Sequence, residues 1–206
     1  FVIPAEGGIS RRLTFHSSND NLSDWTQDNR LLFSTTRNFR QVEWESEIHA
    51  VNALGGTPKR LLDAAGVMSS ASPNGKLIAF VIGYNKEQRY AYTGSCDKEI
   101  WIFNSESKKF TKVSTFAGND MQPRWADDKT LYFISAESGN YNIHRLNLNA
   151  NGEREGNSEQ ITKFTDPDGD TGARFGTSVD IEGSSVIIGA INELKTDLDA
   201  LTVSAG

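Results

Sequence analysis

Short apolar runs alternate with polar turns along the chain, and one such pattern recurs. The segment WTQDNRLLFST begins at Trp25, SPNGKLIAFVI at Ser72 and WADDKTLYFIS at Trp125. Each has an apolar or small residue, a polar turn with Asp or Asn, and a run rich in β-branched and aromatic residues. This pattern predicts a hairpin that leads into a buried strand. VDIEGSSVIIG, from Val179, is a degraded fourth copy.

Two further patterns recur in phase with the first. Apolar positions alternate, as in a strand, in SEIHAVNA, KEIWIFNS, YNIHRLNL and DLDALTVS, which begin at Ser46, Lys98, Tyr141 and Asp197. A strand–turn–strand pattern with Gly-Gly in its turn begins at Pro4 (PAEGGISRRLTFH) and at Asn52 (NALGGTPKRLLDA), with weaker copies from Phe103 and Leu146. Glycine and asparagine tolerate the positive φ that tight hairpin turns require.

The spacing of these patterns predicts a repeat protein. The starts of the alternating segments are separated by 52, 43 and 56 residues, so four units account for the chain, at about 1–50, 51–102, 103–147 and 148–206. Four short antiparallel strands in each unit of this length predict an all-β fold of β-propeller blades, with 1–206 as a single domain or segment. We expect these blades to belong to a larger ring of six or seven, with a small closed ring as the alternative.

Composition narrows the class of protein. Hydrophobic residues make up 37 %, enough for a packed core, and no apolar run reaches the roughly 20 residues of a membrane helix. The net charge of −6, with basic residues scattered among acids, argues against nucleic acid as a partner. The first residues show no signal peptide, so a cytoplasmic and an exported or periplasmic bacterial-type location both stay open. The single cysteine, Cys96, excludes an internal disulfide.

The repeats resemble a known family. VIPAEGGISRRLTFHSSNDNLSDWTQDNRLLFSTTRN and the segment from Arg89 to Asn149 are similar to the N-terminal propeller of tricorn-type serine peptidases, whose repeats are shared with the TolB propeller. The resemblance extends from about Phe1 to Phe164. It implies a non-catalytic scaffold that gates or channels peptides toward a protease region elsewhere, and no residue here matches that family's nucleophile or base. The alternative is a stand-alone TolB-like propeller that binds a protein partner, and whether the parent protein is an enzyme stays open.

The C-terminal part departs from this pattern. DPDGDTGARFGTSVDIEGSSVIIGA resembles the FG-GAP repeat of integrin-type propellers, and the apolar spacing in INELKTDLDALTVSAG suits a helix although the repeat phase favours a strand. Asp166, Asp168 and Asp170 have the alternate spacing of a calcium loop, but position 12 counted from Asp166 is Thr177 rather than Glu. A solvated acidic turn is the alternative, and calcium is the one cofactor that the sequence suggests.

Two irregular loops carry the candidate binding residues, which we expect to contact a peptide or protein partner. Loops of a propeller project from the ring and carry binding functions more often than its strands. The candidates combine arginine with aromatic side chains, which are frequent at binding surfaces: Arg37, Arg40, Trp44, Tyr84, Arg89, Tyr90 and Tyr92. The alternative is that each loop is an ordinary insertion packed on a neighbouring domain. A separate expectation concerns the ring, which a homo-oligomer or a further chain could complete.

Tryptophan and histidine also recur in the repeats. Trp25, Trp101 and Trp125 recur within them, which predicts packing between blades. His49 and His144 lie at matching places in the alternating segments. A metal site is one interpretation, and hydrogen bonding within the strands is the other.

Overall fold

The computed structural model describes residues 1–38, 45–86, 89 and 92–163, together with the backbone of two strands, Arg174–Glu182 and Ser185–Ile191. Within these residues every regular element is a β-strand. The same residues contain no helix that is long and apolar enough to cross a membrane. The prediction of an all-β fold is therefore confirmed. The predicted calcium residues, the segment 192–206 and the candidates Arg40, Trp44 and Tyr90 lie outside the described residues.

Twelve strands form three antiparallel sheets of four, and we refer to these sheets as blades 1, 2 and 3. Blade 1 consists of β1 (Asp20–Trp25), β2 (Arg30–Thr35), β3 (Glu47–Asn52) and β4 (Lys59–Ala65). Blade 2 consists of β5 (Val67–Ala71), β6 (Leu77–Ile82), β7 (Glu99–Asn104) and β8 (Phe110–Lys112). Blade 3 consists of β9 (Asp120–Trp125), β10 (Thr130–Ser135), β11 (Asn142–Asn147) and β12 (Glu159–Gln160). Each blade begins at the strand before the Asp/Asn turn, so the blades are offset in phase from the four sequence units.

A further hairpin, β13 (Arg174–Glu182) and β14 (Ser185–Ile191), follows blade 3. Strand β13 contacts β9, β10 and β11, just as β5 contacts β1, β2 and β3 and β9 contacts β5, β6 and β7. The hairpin thus holds the place of the first two strands of a fourth blade. It coincides with the degraded copy of the repeat that the sequence shows from Val179.

The turns follow from the residues that the sequence places in them. In the first turn of blade 3, the carboxylate of Asp127 accepts hydrogen bonds of 2.8 Å from the backbone N–H groups of Lys129 and Thr130. In the Gly-Gly turn of blade 1, Gly55 and Gly56 have φ of +103° and +124°. Gly7 and Gly8 have φ of +89° and +122°, so the earlier copy of this pattern has the same backbone conformation. Glycine adopts these angles without the steric penalty of a Cβ atom.

Cross-strand pairs decide which side chains face which neighbour. Residues directly opposite each other in neighbouring strands share one face of the sheet. One face of blade 2 bears Phe80 and Phe103 and packs with Ile48 of blade 1. Its other face bears Ala79, Val81, Ile100 and Ile102 and packs with Leu131, Phe133 and Leu146 of blade 3. The core therefore lies between the blades, as expected for repeats that bury their faces against one another.

The N-terminal segment covers part of the outer face of blade 1. Val2 and Arg11 form an antiparallel bridge, and Leu13 is buried against Leu31, Phe33, Val51 and Ala53. The Arg11 guanidinium donates a 2.5 Å hydrogen bond to the backbone oxygen of Ala53. Phe1, Ile3, Ile9, Phe15, Leu22 and Trp25 nevertheless remain exposed on this side of the structure.

Candidate functional site

Both predicted binding loops lie at the same end of the blades. In an antiparallel blade, the connections between the second and third strands all lie at one end, and the connections between the first and second strands lie at the other. We call the first the loop end, whose described residues are 36–38, 45–46, 83–86, 89, 92–98 and 136–141, and the second the turn end. The negative charge of Glu45 acts to raise the pKa of the Tyr84 hydroxyl, so Glu45 of the blade 1 loop lies near Tyr84 of the blade 2 loop.

Arg37 is held against its own blade. Its guanidinium donates hydrogen bonds of 2.6 Å and 2.7 Å to the two carboxylate oxygens of Asp20, and it lies 5.1 Å from the ring centroid of Phe33. The side chains of Arg37 and Asp20 are 11 % and 15 % exposed. Burial acts to raise the pKa of Asp20, but the hydrogen bonds and the positive charge of Arg37 hold that pKa below its usual value. Most of the Arg37 side chain is therefore engaged within its own blade. That Arg37 binds a partner stays a prediction.

The loop of blade 2 presents the exposed candidates. The Tyr84 side chain is 72 % exposed. Arg89 is exposed and lies 4.4 Å from the ring centroid of the half-buried Tyr92, a cation–π arrangement. A phenol and a stacked guanidinium on one loop offer an apolar surface and a positive charge to a partner.

Buried amides anchor this loop to blade 3. The Asn119 side-chain oxygen accepts hydrogen bonds of 3.1 Å from Asn85 Nδ2 and from the backbone N–H of Lys98. The side-chain nitrogen of Asn119 donates a 3.1 Å bond to the Tyr141 hydroxyl. Gly83 crosses Asp97 so closely that a Cβ atom there would lie 2.0 Å from the Asp97 backbone oxygen. The exposed residues are therefore carried on a well-anchored loop.

The side chains of Cys96 and Tyr84 are hydrogen-bonded to each other on this loop. A hydrogen bond from the Tyr84 hydroxyl lowers the pKa of the Cys96 thiol, and this effect exceeds the opposing one of burial. Hydrogen bonds from Ser95 and Tyr92 and the charge of Arg89 act in the same direction. The thiol is only half-buried, so the thiolate form is accessible to reagents in solution.

The three loops share a position that the sequence analysis did not recognise. The cross-strand pairs Phe33–His49, Phe80–Trp101 and Phe133–His144 are equivalent in blades 1, 2 and 3. Counting from them, Arg37, Tyr84 and Glu137 each stand four residues after the equivalent phenylalanine. One blade position thus carries a guanidinium, a phenol and a carboxylate in turn. The spacing of FSTTR and FISAE, 100 residues apart, was the signal available in the sequence.

Sequence reasoning also missed a buried acidic group in blade 3. Asp120 is 1 % exposed, and its Oδ1 atom has no hydrogen-bond partner among the described residues. Burial is the main cause that raises the pKa of Asp120 to about 7. A Ser135 hydrogen bond and the charge of Arg154 lower it, while the charges of Glu137 and Asp97 raise it further. The segments DNLSDW and DMQPRW, each an Asp five residues before a Trp, mark Asp20 and Asp120 as equivalent.

The two matched histidines are buried within their strands. His49 and His144 are 2 % and 3 % exposed, and each ring lies beside the phenylalanine opposite it, with centroids 5.9 Å and 5.6 Å apart. Burial lowers the pKa of both imidazoles. In the part of the chain that the structure describes, no group of three His, Cys, Asp or Glu side chains could hold a metal ion. The calcium candidates Asp166, Asp168 and Asp170 lie outside that part.

Family comparison agrees with this arrangement of blades. The model of the tricorn protease N-terminal β-propeller domain matches residues 1–179. The chain belongs to this family. An FG-GAP repeat matches residues 159–200 of this tricorn-type propeller, a range that includes β13 and β14. Both resemblances noted in the sequence are therefore confirmed. Among curated proteins, none matches the chain.

Solved structures share the fold of the tricorn-type propeller at low sequence identity. TolB from Agrobacterium tumefaciens is 17 % identical, with a TM-score of 0.62 over 87 % of this chain and 57 % of that one. The tricorn protease is 18 % identical, with a TM-score of 0.57 over 71 % of this chain and 14 % of that one. A puromycin-hydrolyzing peptidase of Mycobacterium tuberculosis is 15 % identical, with a TM-score of 0.56 over 84 % and 28 %. The chain thus spans less than two thirds of each of these proteins.

Proposed function

We propose that this propeller is a non-catalytic part of a tricorn-like peptidase, where it gates or guides peptides toward a catalytic region and contacts neighbouring domains. The family match over residues 1–179 carries the proposal. In support, Tyr84 is exposed at the loop end and Arg89 is stacked on Tyr92. Contact with an extended peptide would use the ring of Tyr84 and the charge of Arg89.

Fluorescence anisotropy with a labelled, unstructured acidic peptide tests this role. We expect weak binding that Tyr84→Ala and Arg89→Gln each reduce by about fivefold, the loss expected for an exposed aromatic or charged contact of roughly 1 kcal/mol. Leu54→Ala is the matched apolar control, because Leu54 is 78 % exposed at the turn end. Lys108→Gln is the matched charge control, because Lys108 lies 5.8 Å from the Phe103 ring centroid at the turn end.

Mass spectrometry of the same peptide tests whether the propeller is catalytic. The peptide should stay intact during incubation with the 206-residue chain. Cleavage that depends on this chain would contradict the proposal. Equal losses of binding in the loop-end variants and the turn-end controls would contradict the assignment of the surface.

A stand-alone propeller that binds a protein partner is the second candidate. It is supported by the similarity to TolB, whose fold matches over 87 % of this chain with a TM-score of 0.62. The two candidates differ in the size of the ligand. A surface that captures a folded protein through Tyr84 and Arg89 but ignores unstructured peptides would favour the second.

A further inference from the structure

Blades 1 and 3 carry the same polar set at the loop end. The first residue of the first strand is an aspartate, Asp20 or Asp120, and it lies opposite a hydroxyl residue, Thr35 or Ser135. Two residues before that hydroxyl, a phenylalanine lies opposite a histidine in both blades. Blade 2 lacks this set, since its first strand begins at Val67, Ile82 takes the place of the hydroxyl residue, and Phe80 lies opposite Trp101.

In blade 1 this set holds a guanidinium. Arg37 binds both oxygens of Asp20 and lies over the Phe33 ring, at the distances given above. Both hydrogen bonds come from one nitrogen of Arg37, Nη2, and the planar guanidinium also stacks on the aromatic face of Phe33. The chain thus contains its own example of the group that fits between these residues.

In blade 3 no arginine stands at the position of Arg37. Glu137 takes the position of Arg37, and its side chain is 53 % exposed. Asp120 Oδ1 and both ring nitrogens of His144 are buried with no hydrogen-bond partner in the described structure. Glu137 Oε2 lies 3.9 Å from His144 Nδ1. A buried carboxylate oxygen without a partner is costly, so an incoming donor at this place is favoured.

We propose that the loop end of blade 3 binds a guanidinium group, supplied by an arginine side chain of a peptide or protein partner. The site consists of Asp120, Phe133, Ser135, Glu137 and His144. Asp120 accepts the two hydrogen bonds that Asp20 accepts from Arg37, Phe133 offers the stacking face, and Glu137 adds a second negative charge. The inference rests on the proposed function and names the ligand class for a site separate from Tyr84.

In this proposal the arginine side chain enters from the loop end, where Glu137 is the exposed member of the site. Arg37 reaches Asp20 from the turn that follows β2, and the equivalent turn of blade 3, residues 136–139, carries the exposed Glu137. The other charged groups around Asp120 are Asp97, which strengthens the negative potential, and Arg154, which weakens it. Lys98 is also buried nearby, with its Nζ 3.9 Å from Met121 Sδ. Among these groups three are acidic, Asp97, Asp120 and Glu137, and two are basic, Arg154 and Lys98.

NMR titration of the full chain with N-acetyl-arginine amide tests the proposal. We expect the His144 ring signals to shift saturably with this probe. The neutral isostere N-acetyl-citrulline amide should bind at least about tenfold more weakly, since a charge-assisted hydrogen bond contributes roughly 1.5–3 kcal/mol. Asp120→Asn should weaken binding of the arginine probe to a similar extent. Glu159→Gln is the control, because it removes one exposed acidic charge from the same blade, outside the site.

Glu137→Arg provides a second test that does not remove a buried group. Its guanidinium should reach Asp120 as Arg37 reaches Asp20, so it should raise the midpoint of thermal unfolding and abolish binding of the arginine probe. An unshifted His144 spectrum in the wild-type chain, equal binding of citrulline amide, or undiminished binding by Glu137→Arg would each overturn the proposal. If the peptide of the previous section still bound through Tyr84, the proposed function would stand without this site.

Discussion

Trp125 donates a 3.1 Å hydrogen bond from its indole nitrogen to the backbone oxygen of Ser70 in the preceding blade. Trp125 is 8 % exposed. Trp25 holds the equivalent position in blade 1, but its side chain is 52 % exposed and its indole nitrogen lies 3.4 Å from Asn29 Oδ1 of the same turn. The same residue type at the same repeat position therefore stabilises one blade contact and not the other.

This difference predicts unequal effects of the same substitution. Trp125→Phe should lower the free energy of unfolding by about 1–3 kcal/mol, because it leaves the buried Ser70 oxygen without its donor. Trp25→Phe should change it by less than about 0.5 kcal/mol, as exposed substitutions usually do. Urea denaturation of the two variants measures both values. Equal losses would show that the hydrogen bond between the blades contributes nothing.

The blade arrangement could be predicted because turns are specified locally. Gly7-Gly8 and Gly55-Gly56 adopt similar positive φ values, and the polar turn before each second strand is formed by its own side chains. The burial of the repeated tryptophans could not be predicted in the same way, because it depends on which neighbouring side chains each one meets. Trp125 is buried, whereas Trp25, for which the repeat predicts packing between blades, is exposed. Trp101 lies in a third strand and packs with the core between blades 1 and 2.

The loops that carry the candidate residues could be located from the sequence, but the contacts of these residues could not, and their binding role stays a prediction. Arg37, Tyr84, Arg89 and Tyr92 do lie at one end of the blades. The ion pair of Arg37 with Asp20 joins residues 17 positions apart, and the anchoring of Asn85 by Asn119 joins residues 34 apart. Such contacts follow from strand register, which single residues do not specify. Asp120 was missed because its environment is built by residues that are distant in sequence.

Asp120 should make the protein less stable as the pH rises. Burial is the main reason that its pKa is about 7 in the folded chain, against 3.8 for an ordinary aspartate. Between these values the folded chain holds a proton that the unfolded chain has lost, so the free energy of unfolding falls as the pH rises and levels off above about 7. The full effect is on the order of 4 kcal/mol, since one pKa unit corresponds to about 1.36 kcal/mol.

Asp120→Asn removes this dependence. The variant should gain stability relative to the wild type as the pH is raised from about 4 to about 7.5, as measured by urea denaturation at each pH. The contribution of the buried His144 is present in both proteins and largely cancels in the difference between their stabilities.

Asp20→Asn is the opposite control, because the pKa of Asp20 is lowered. Its carboxylate stabilises the fold above the ordinary aspartate pKa and loses that effect as the pH falls through its folded pKa. Parallel curves for Asp120→Asn and wild type would refute the assignment.

Gly83 should be the more sensitive of two glycines at the loop end. Gly83 has φ of +113° and a Cβ there would meet the Asp97 backbone, whereas Gly139 has φ of +90° and open space around it. Gly139→Ala should lower the free energy of unfolding by about 1–2 kcal/mol from backbone strain alone. Gly83→Ala should add roughly 1–3 kcal/mol for the clash and should increase cleavage of residues 84–96 in limited proteolysis. Similar losses in both variants would mean that the loop adjusts freely.

The contact between Tyr84 and Cys96 should be visible in the reactivity of the thiol. The Tyr84 hydroxyl is the largest cause that lowers the pKa of Cys96, so Tyr84→Phe should raise that pKa and slow alkylation by iodoacetamide at neutral pH. The pH dependence of the alkylation rate measures the shift. Arg89→Gln should move the profile in the same direction by less, because the charge of Arg89 is a smaller cause.

Tyr132→Phe, which removes a half-buried phenol in blade 3, is the control and should leave the profile unchanged. An identical profile for Tyr84→Phe and the wild type would mean that the phenol does not stabilise the thiolate.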